Sequence, residues 1–114
     1  MLPVQEISIS TENRRLFSVH LEYWDDHFEC VLAAIDLGPK LPADTTFRPY
    51  GKAPTALGVF RMLIEKLLGE ISRLDPTDSI AIVDNPCNTE FINAEEQRRV
   101  AGPNVIIKVN GAVT

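Results

Sequence analysis

Several hallmarks of specialised small proteins are missing from this chain. It has only two cysteines, Cys30 in an apolar segment and Cys87 in a polar one, far apart and without a CxxC pair. That excludes a disulfide framework and leads us to expect a reducing, cytoplasmic setting. No apolar run approaches the roughly 20 residues that cross a bilayer. The opening "MLPVQEISIS" lacks the basic start and apolar core of a secretory signal. There is no HExxH, and Gly51-Lys52 is followed by Ala53-Pro54 rather than the Ser or Thr of a phosphate-binding loop. Neither a low-complexity linker nor an internal repeat divides the chain, so residues 1–114 are expected to form one domain.

Positive charge is scarce as well. Eleven Lys and Arg stand against sixteen Asp and Glu, a net charge of −5. The basic residues are scattered, with only Arg14-Arg15 and Arg98-Arg99 adjacent. Nucleic-acid binding draws on clustered cations to neutralise phosphates, so this balance argues against it. An acidic surface instead favours a basic protein partner.

What the chain does contain is patterning. Residues 4–10, 15–24 and 28–37 alternate or run apolar as strands do. Asp25-Asp26 can close the second and third into a hairpin. That register sets Tyr23 opposite Phe28, Leu21 opposite Cys30 and Val19 opposite Leu32, so core meets core. Residues 38–54 hold four of the eight prolines and read as loop, with "TTFRPY" at best an edge strand. The strongest signal follows. Leu57, Phe60, Leu63, Ile64, Leu67, Leu68, Ile71 and Leu74 make one stripe of a helix over 55–74, which Pro76 ends. A buried strand is expected at 79–84. A short helix at 94–101 follows, capped by Asn93 with Glu96 three residues on and ended by Gly102-Pro103. A last strand is expected at 104–109. The fold expected is α+β: a mostly antiparallel sheet of about four to five strands, packed on one long amphipathic helix with a short second helix.

One stretch concentrates chemistry. "HLEYWDDHFE", residues 20–29, places His20, Glu22, Trp24, His27 and Glu29 on the side of the hairpin away from the helix. Glu22 faces Glu29, an arrangement of like charges that calls for a cation, a protonated histidine or a partner's arginine to offset it. Two imidazoles and two carboxylates are ligand types that suit zinc, so His20, Glu22, His27 and Glu29 are weak metal candidates; a His–Glu pair could also serve acid–base catalysis. The plain alternative is a solvated sheet face. Trp24 beside charged residues also suits a protein-binding surface.

A second candidate surface is the side of the long helix opposite the leucine stripe. Gly58, Met62 and Gly69 project there, and two mid-helix glycines could admit another backbone. A third is the last strand. It is expected to end too soon after Asn110-Gly111 for a hairpin return, and as an edge it could pair two copies into a homodimer.

Residues 16–71 run strand, strand, strand-like segment and then a helix entered through "YGKAPTAL". This order is similar to the β-β-β-α core of HicB-type antitoxins and, loosely, to the last part of double-stranded-RNA-binding domains. The chain departs from both. "IDLGPKLP" stands where the antitoxins carry a proline-aspartate-leucine-proline-glycine stretch, and the helix start lacks the lysines of the RNA-binding family.

Taken together, these features favour a small acidic protein-binding or regulatory module of the antitoxin, immunity-protein, inhibitor or regulatory-subunit kind, with no cofactor and no membrane segment. The alternatives are a metal-dependent or acid–base enzyme built on the His/Glu cluster, and a structural homodimer without ligand.

Overall fold

The alternation in the first third of the chain becomes a sheet. In the computed structural model, which describes residues 4–36, 50–86 and 91–114, β1 (Val4–Thr11), β2 (Leu16–Tyr23) and β3 (Phe28–Asp36) form an antiparallel meander. The β2–β3 register is the one the hydrophobic pattern demands, with Tyr23 opposite Phe28, Leu21 opposite Cys30 and Val19 opposite Leu32. Beyond Val19 the ladder shifts by one residue, a bulge that restores Ile35 to a place opposite Phe17. The β1–β2 turn puts Arg14 at φ 67°, the left-handed position of a three-residue hairpin loop.

The rest of the sheet is larger than the sequence suggested. Among the described residues it has seven strands in the order β4-β3-β2-β1-β5-β6-β7. Two short strands account for the difference from the expected four to five. β4 (Tyr50–Ala53) comes from the end of the stretch read as loop; it pairs antiparallel with β3 at one edge, where a neighbouring proline does least harm. Residues 37–49, including most of "TTFRPY", lie outside the described part. β7 (Ala112–Val113) occupies the other edge. Asn110 at φ 51° and Gly111 at φ 83° form a tight turn of the Asn-Gly type, so the chain does return, and β6 (Ile106–Val109) is flanked on both sides. The expected edge strand is therefore an inner one. β5 (Ile80–Asn85) joins β1 antiparallel and β6 parallel, the parallel step being spanned by α2 (Ala94–Ala101).

α1 (Ala56–Leu74) starts and stops where local chemistry sets it. Thr55 caps it by accepting from the Gly58 N–H, and Asp75 closes it with an N–H bond to the Ile71 carbonyl. α2 carries the expected capping box, Asn93 and Glu96 each bonding the other's backbone N–H. Both helices lie on one face of the sheet. There Phe17, Val19, Leu21, Ile7, Ile9 and Val83 meet Val59, Phe60, Leu63, Leu67 and Ile71 in one cluster. Leu68, counted in the apolar stripe from the sequence, is 41% exposed; it lies at the stripe's margin, past the reach of the sheet.

Two buried polar groupings tie this core together. Gln5, Asn85 and Gln97 are almost wholly buried and satisfy one another. Asn85 Nδ2 donates to Gln97 Oε1 at 2.8 Å, Gln97 Nε2 and Gln5 Nε2 both donate to Asn85 Oδ1, and Gln5 accepts from the Phe91 N–H. β1, β5 and α2 are thereby fixed to one another by directional bonds. At the far end of the molecule Arg15 Nη1 donates to Asp78 Oδ2 at 2.6 Å and to Asp75 Oδ2 at 3.2 Å, pinning the β1–β2 turn to the α1–β5 connection.

Candidate functional site

The residues at 20–29 divide into two groups rather than converging. His20 sits across the β1–β2 ladder from Glu6, with Nε2 3.7 Å from Glu6 Oε1. His27 and Glu29 lie at the hairpin tip, where the Trp24 N–H donates to the His27 carbonyl and Asp25-Asp26 make the bend. Among the described residues no group of three or more His, Cys, Asp or Glu is placed to hold a metal ion. The register explains why: a flat sheet keeps residues on neighbouring strands in separate rows.

The tip is built around Glu29, which is only 8% exposed although it lies on the side away from the helices. β4 covers it. Lys52 stands directly opposite Glu29 in the β3–β4 ladder, and the Tyr50 hydroxyl donates to Glu29 Oε1. From the other side His27 Nε2 lies 2.9 Å from Glu29 Oε2, while His27 Nδ1 lies 2.5 Å from Asp26 Oδ1. Lys52 Nζ stands 5.8 Å from the centre of the Tyr50 ring. The Trp24 ring lies parallel to His27 at 6.3 Å.

These contacts set the charges. The bond to Asp26, helped by the one to Glu29, raises the His27 pKa above its ordinary value. The Tyr50 hydroxyl first, and His27 next, hold the Glu29 carboxyl low, and the His27 bond does the same for Asp26. Glu29 in turn pushes the Tyr50 hydroxyl up, and Tyr50 raises Lys52. An imidazole between two carboxylates donates from both nitrogens and keeps no lone pair for a metal or a substrate proton. His27, when protonated, is thus a clamp between Asp26 and Glu29. The sequence called for an offsetting cation or protonated histidine here, and the fold supplies both, His27 from the hairpin itself and Lys52 from β4.

The helix side marked by Gly58 and Met62 is not open. A Cβ on Gly58 would come within 2.9 Å of Thr55 Oγ1 and 3.2 Å of the Ala53 Cβ, and a Cβ on Gly51 within 3.2 Å of Met62 Cε. The close approach that a small residue permits is used inside the molecule, between α1 and β4. Gly69 alone of the three has nothing within 4 Å of an added Cβ. Cys30 is a buried thiol whose pKa burial raises, whereas Cys87 lies outside the described residues.

A further surface brought together is the second face of the sheet. Both helices pack on one side, and among the described residues no element covers the other. Ladder pairing arranges this bare face in rows that cross the strands. Lys52, Glu29 and Glu22 form the first row; Tyr50, Val31, His20 and Glu6 the second. Ser18, Ser8, Asp84, Lys108 and Val113 form the third; Leu16, Ser10, Ile82 and Ile106 the fourth. Leu16 at 39% and Ile106 at 43% are exposed, as are Val31, Tyr50 and Val113. Trp24 extends the same side at the hairpin tip and is exposed too. Alternation alone marks Leu16, His20 and Glu22 as outward, but nothing local in the sequence reveals that no second layer covers them. Tyr50 and Lys52 were hidden by the prolines around them.

The described residues therefore form an α+β fold with a seven-stranded, mostly antiparallel sheet, one side of which no described element covers. No family model, curated protein or solved structure matches it. No helix among the described residues is long and apolar enough to cross a membrane.

Proposed function

We propose that the protein acts by binding another protein, and that the uncovered sheet face, with Trp24 at its margin, is the surface it uses. The observation that carries this reading is the bare face itself. Leu16, Val31, Tyr50, Ile106 and Val113 stay exposed on the side of the sheet that no described element covers, while the other side carries the core and both helices. Exposed apolar side chains set among charged ones on one face are a mark of an interaction surface. Glu6, Glu22 and Asp84 on that face, with the net charge of −5, favour a basic partner. Such a role fits a regulatory module, with antitoxins, immunity proteins and inhibitors as the kinds of protein that work this way. Homodimerisation through the terminal strand loses its main support, because β7 covers β6 and only two residues remain as that edge.

The test compares proteins captured from the source cells by wild type, by Val31→Glu/Ile106→Glu, and by Leu68→Glu as a control on the helical side. A partner identified by mass spectrometry with wild type and Leu68→Glu, but lost with the double variant, supports the reading. A partner kept by the double variant and lost with Leu68→Glu refutes it.

A further inference from the structure

The turn that carries the chain from β6 into β7 holds a reactive pair. We propose that Asn110 is a site of spontaneous modification: its side chain is attacked by the Gly111 backbone nitrogen and converted to isoaspartate, and the product releases β7 from the sheet.

The nucleophile in this reaction is the peptide nitrogen of the following residue, so that residue decides how readily each asparagine reacts. The chain has six asparagines, each with a different successor. Pro86 after Asn85 has no N–H to lose. Val105 after Asn104 is β-branched and buried, and crowds its own nitrogen. Arg14 and Ala94 carry a Cβ, and the asparagines before them are engaged. Asn13 Nδ2 donates to Asp75 Oδ2 at 2.8 Å, and Asn93 Oδ1 accepts from the Glu96 N–H at 2.9 Å. Asn88, before Thr89, lies outside the described residues. Gly111 alone presents a nitrogen without a side chain beside it, and nothing lies within 4 Å of where a Cβ would stand.

The fold leaves both reacting groups free. Asn110 and Gly111 are exposed to water. The Asn110 N–H donates to the Asn85 carbonyl at 2.9 Å, but among the described residues neither the Asn110 side-chain amide nor the Gly111 N–H has a hydrogen-bond partner. Bringing the two together needs the turn to open, and little holds it shut. β7 has two residues, paired with Lys108 and Val109, and beyond that ladder the Thr114 N–H bonds the Ile107 carbonyl and Arg98 bonds the Thr114 carbonyl. Short exposed edge elements open at small free-energy cost.

The bonds balance with water as the co-reactant. The Gly111 nitrogen bonds to the side-chain carbonyl carbon of Asn110, the bond from that carbon to the amide nitrogen breaks, and the displaced nitrogen leaves with the Gly111 proton as ammonia. Water then opens the cyclic imide. Opening at the former side-chain carbonyl gives aspartate; opening at the main-chain carbonyl gives isoaspartate, whose backbone runs through Cβ and Cγ and is one atom longer. A two-residue turn sets the register of its strands, so the added atom breaks the pairing of Lys108 with Val113 and of Val109 with Ala112. β6 is then the outer strand on that side.

The experiment ages the native full chain at mildly alkaline pH beside a urea-unfolded sample and locates converted asparagines by peptide mass spectrometry. In the native chain Asn110 should convert ahead of Asn13, Asn93 and Asn104, and Asn110→Gly, which tolerates the positive φ of the turn, should show no conversion there. The isoaspartyl form, separated by its added negative charge and 15N-labelled, should show the Ala112, Val113 and Thr114 amides at their unfolded shifts. Asn110→Asp, which adds the charge without the extra backbone atom, should keep them at native shifts. Asn110 intact in the native chain when the unfolded sample is fully converted, or slower there than another asparagine, would overturn the site. Native shifts at Ala112, Val113 and Thr114 in the isoaspartyl form, or unfolded ones in Asn110→Asp, would overturn the release of β7.

Discussion

Glu22 and Glu29 face each other across the β2–β3 ladder, yet among the described residues Glu29 is the one tied down, by the Tyr50 hydroxyl from β4 and by His27 from its own strand's approach, with Lys52 opposite it in the β3–β4 ladder. Removing one charge should therefore act differently at the two positions. Glu22→Gln relieves the repulsion and should raise stability by up to about 0.5 kcal/mol. Glu29→Gln, by contrast, takes from His27 and Tyr50 the carboxylate they share and should lower the thermal midpoint, as should Tyr50→Phe. Thermal unfolding of the three variants beside wild type checks the asymmetry.

The same clamp makes stability depend on pH in a defined direction. The folded-state pKa of His27 is raised above 6.5, so the unfolded chain releases this proton first as pH rises. The clamp contributes fully below about pH 6.5 and fades as pH climbs through the raised folded value. Wild type should lose stability as pH rises above about 6.5, and His27→Gln should flatten that slope without adding one at lower pH. Denaturant midpoints across this range report it.

The acid limb has another origin. Asp75 is held down to about 2, first by the Thr77 hydroxyl and N–H, then by Asn13 and Arg15. Burial pushes Asp78 up, but bonds from Thr11, the Asn13 and Ser79 N–H groups and Arg15 outweigh it and leave its pKa low. Both contributions are present above about pH 3.8 and disappear as pH falls toward 2. Arg15→Gln strips Asp78, whose side chain is fully buried, of its counter-ion and should cost about 2–4 kcal/mol in urea unfolding at pH 7.

Helix glycines give opposite outcomes by position. Gly69→Ala meets open space and gains helix propensity, so it should stabilise by about 0.5–1 kcal/mol. Gly58→Ala drives a methyl into the Thr55 oxygen that caps α1, so it should show no such gain and should destabilise. Chemical denaturation of the two single variants distinguishes them.

How much of this was legible in the sequence follows from the range of each interaction. The β2–β3 register, both helices and their caps are set by neighbours within a few positions, and Phe17, Val19, Thr55 and Asn93 behave as their local patterns require. β4 was anticipated only as a possible edge strand over "TTFRPY", and its bounds at Tyr50–Ala53 were not legible because four residues between prolines carry too little periodicity. Its presence is what buries Glu29 and closes the Gly58 side of α1. The Gln5–Asn85–Gln97 grouping joins residues some 80 positions apart, and polar side chains inside alternating strands carry no advance sign of it. Openness of the second sheet face is a property of the whole topology, so His20 and Glu22 could be placed outward from the pattern while their surroundings could not.

Residue-level footprinting of the complex formed with a captured partner tests the open-face reading most directly. Hydroxyl-radical labelling of Leu16, Val31, Tyr50 and Ile106 should fall several-fold on binding while Leu68 labels as before. Unchanged labelling at those four side chains, with protection at Leu68 instead, would contradict the binding surface assigned to the bare side of the sheet.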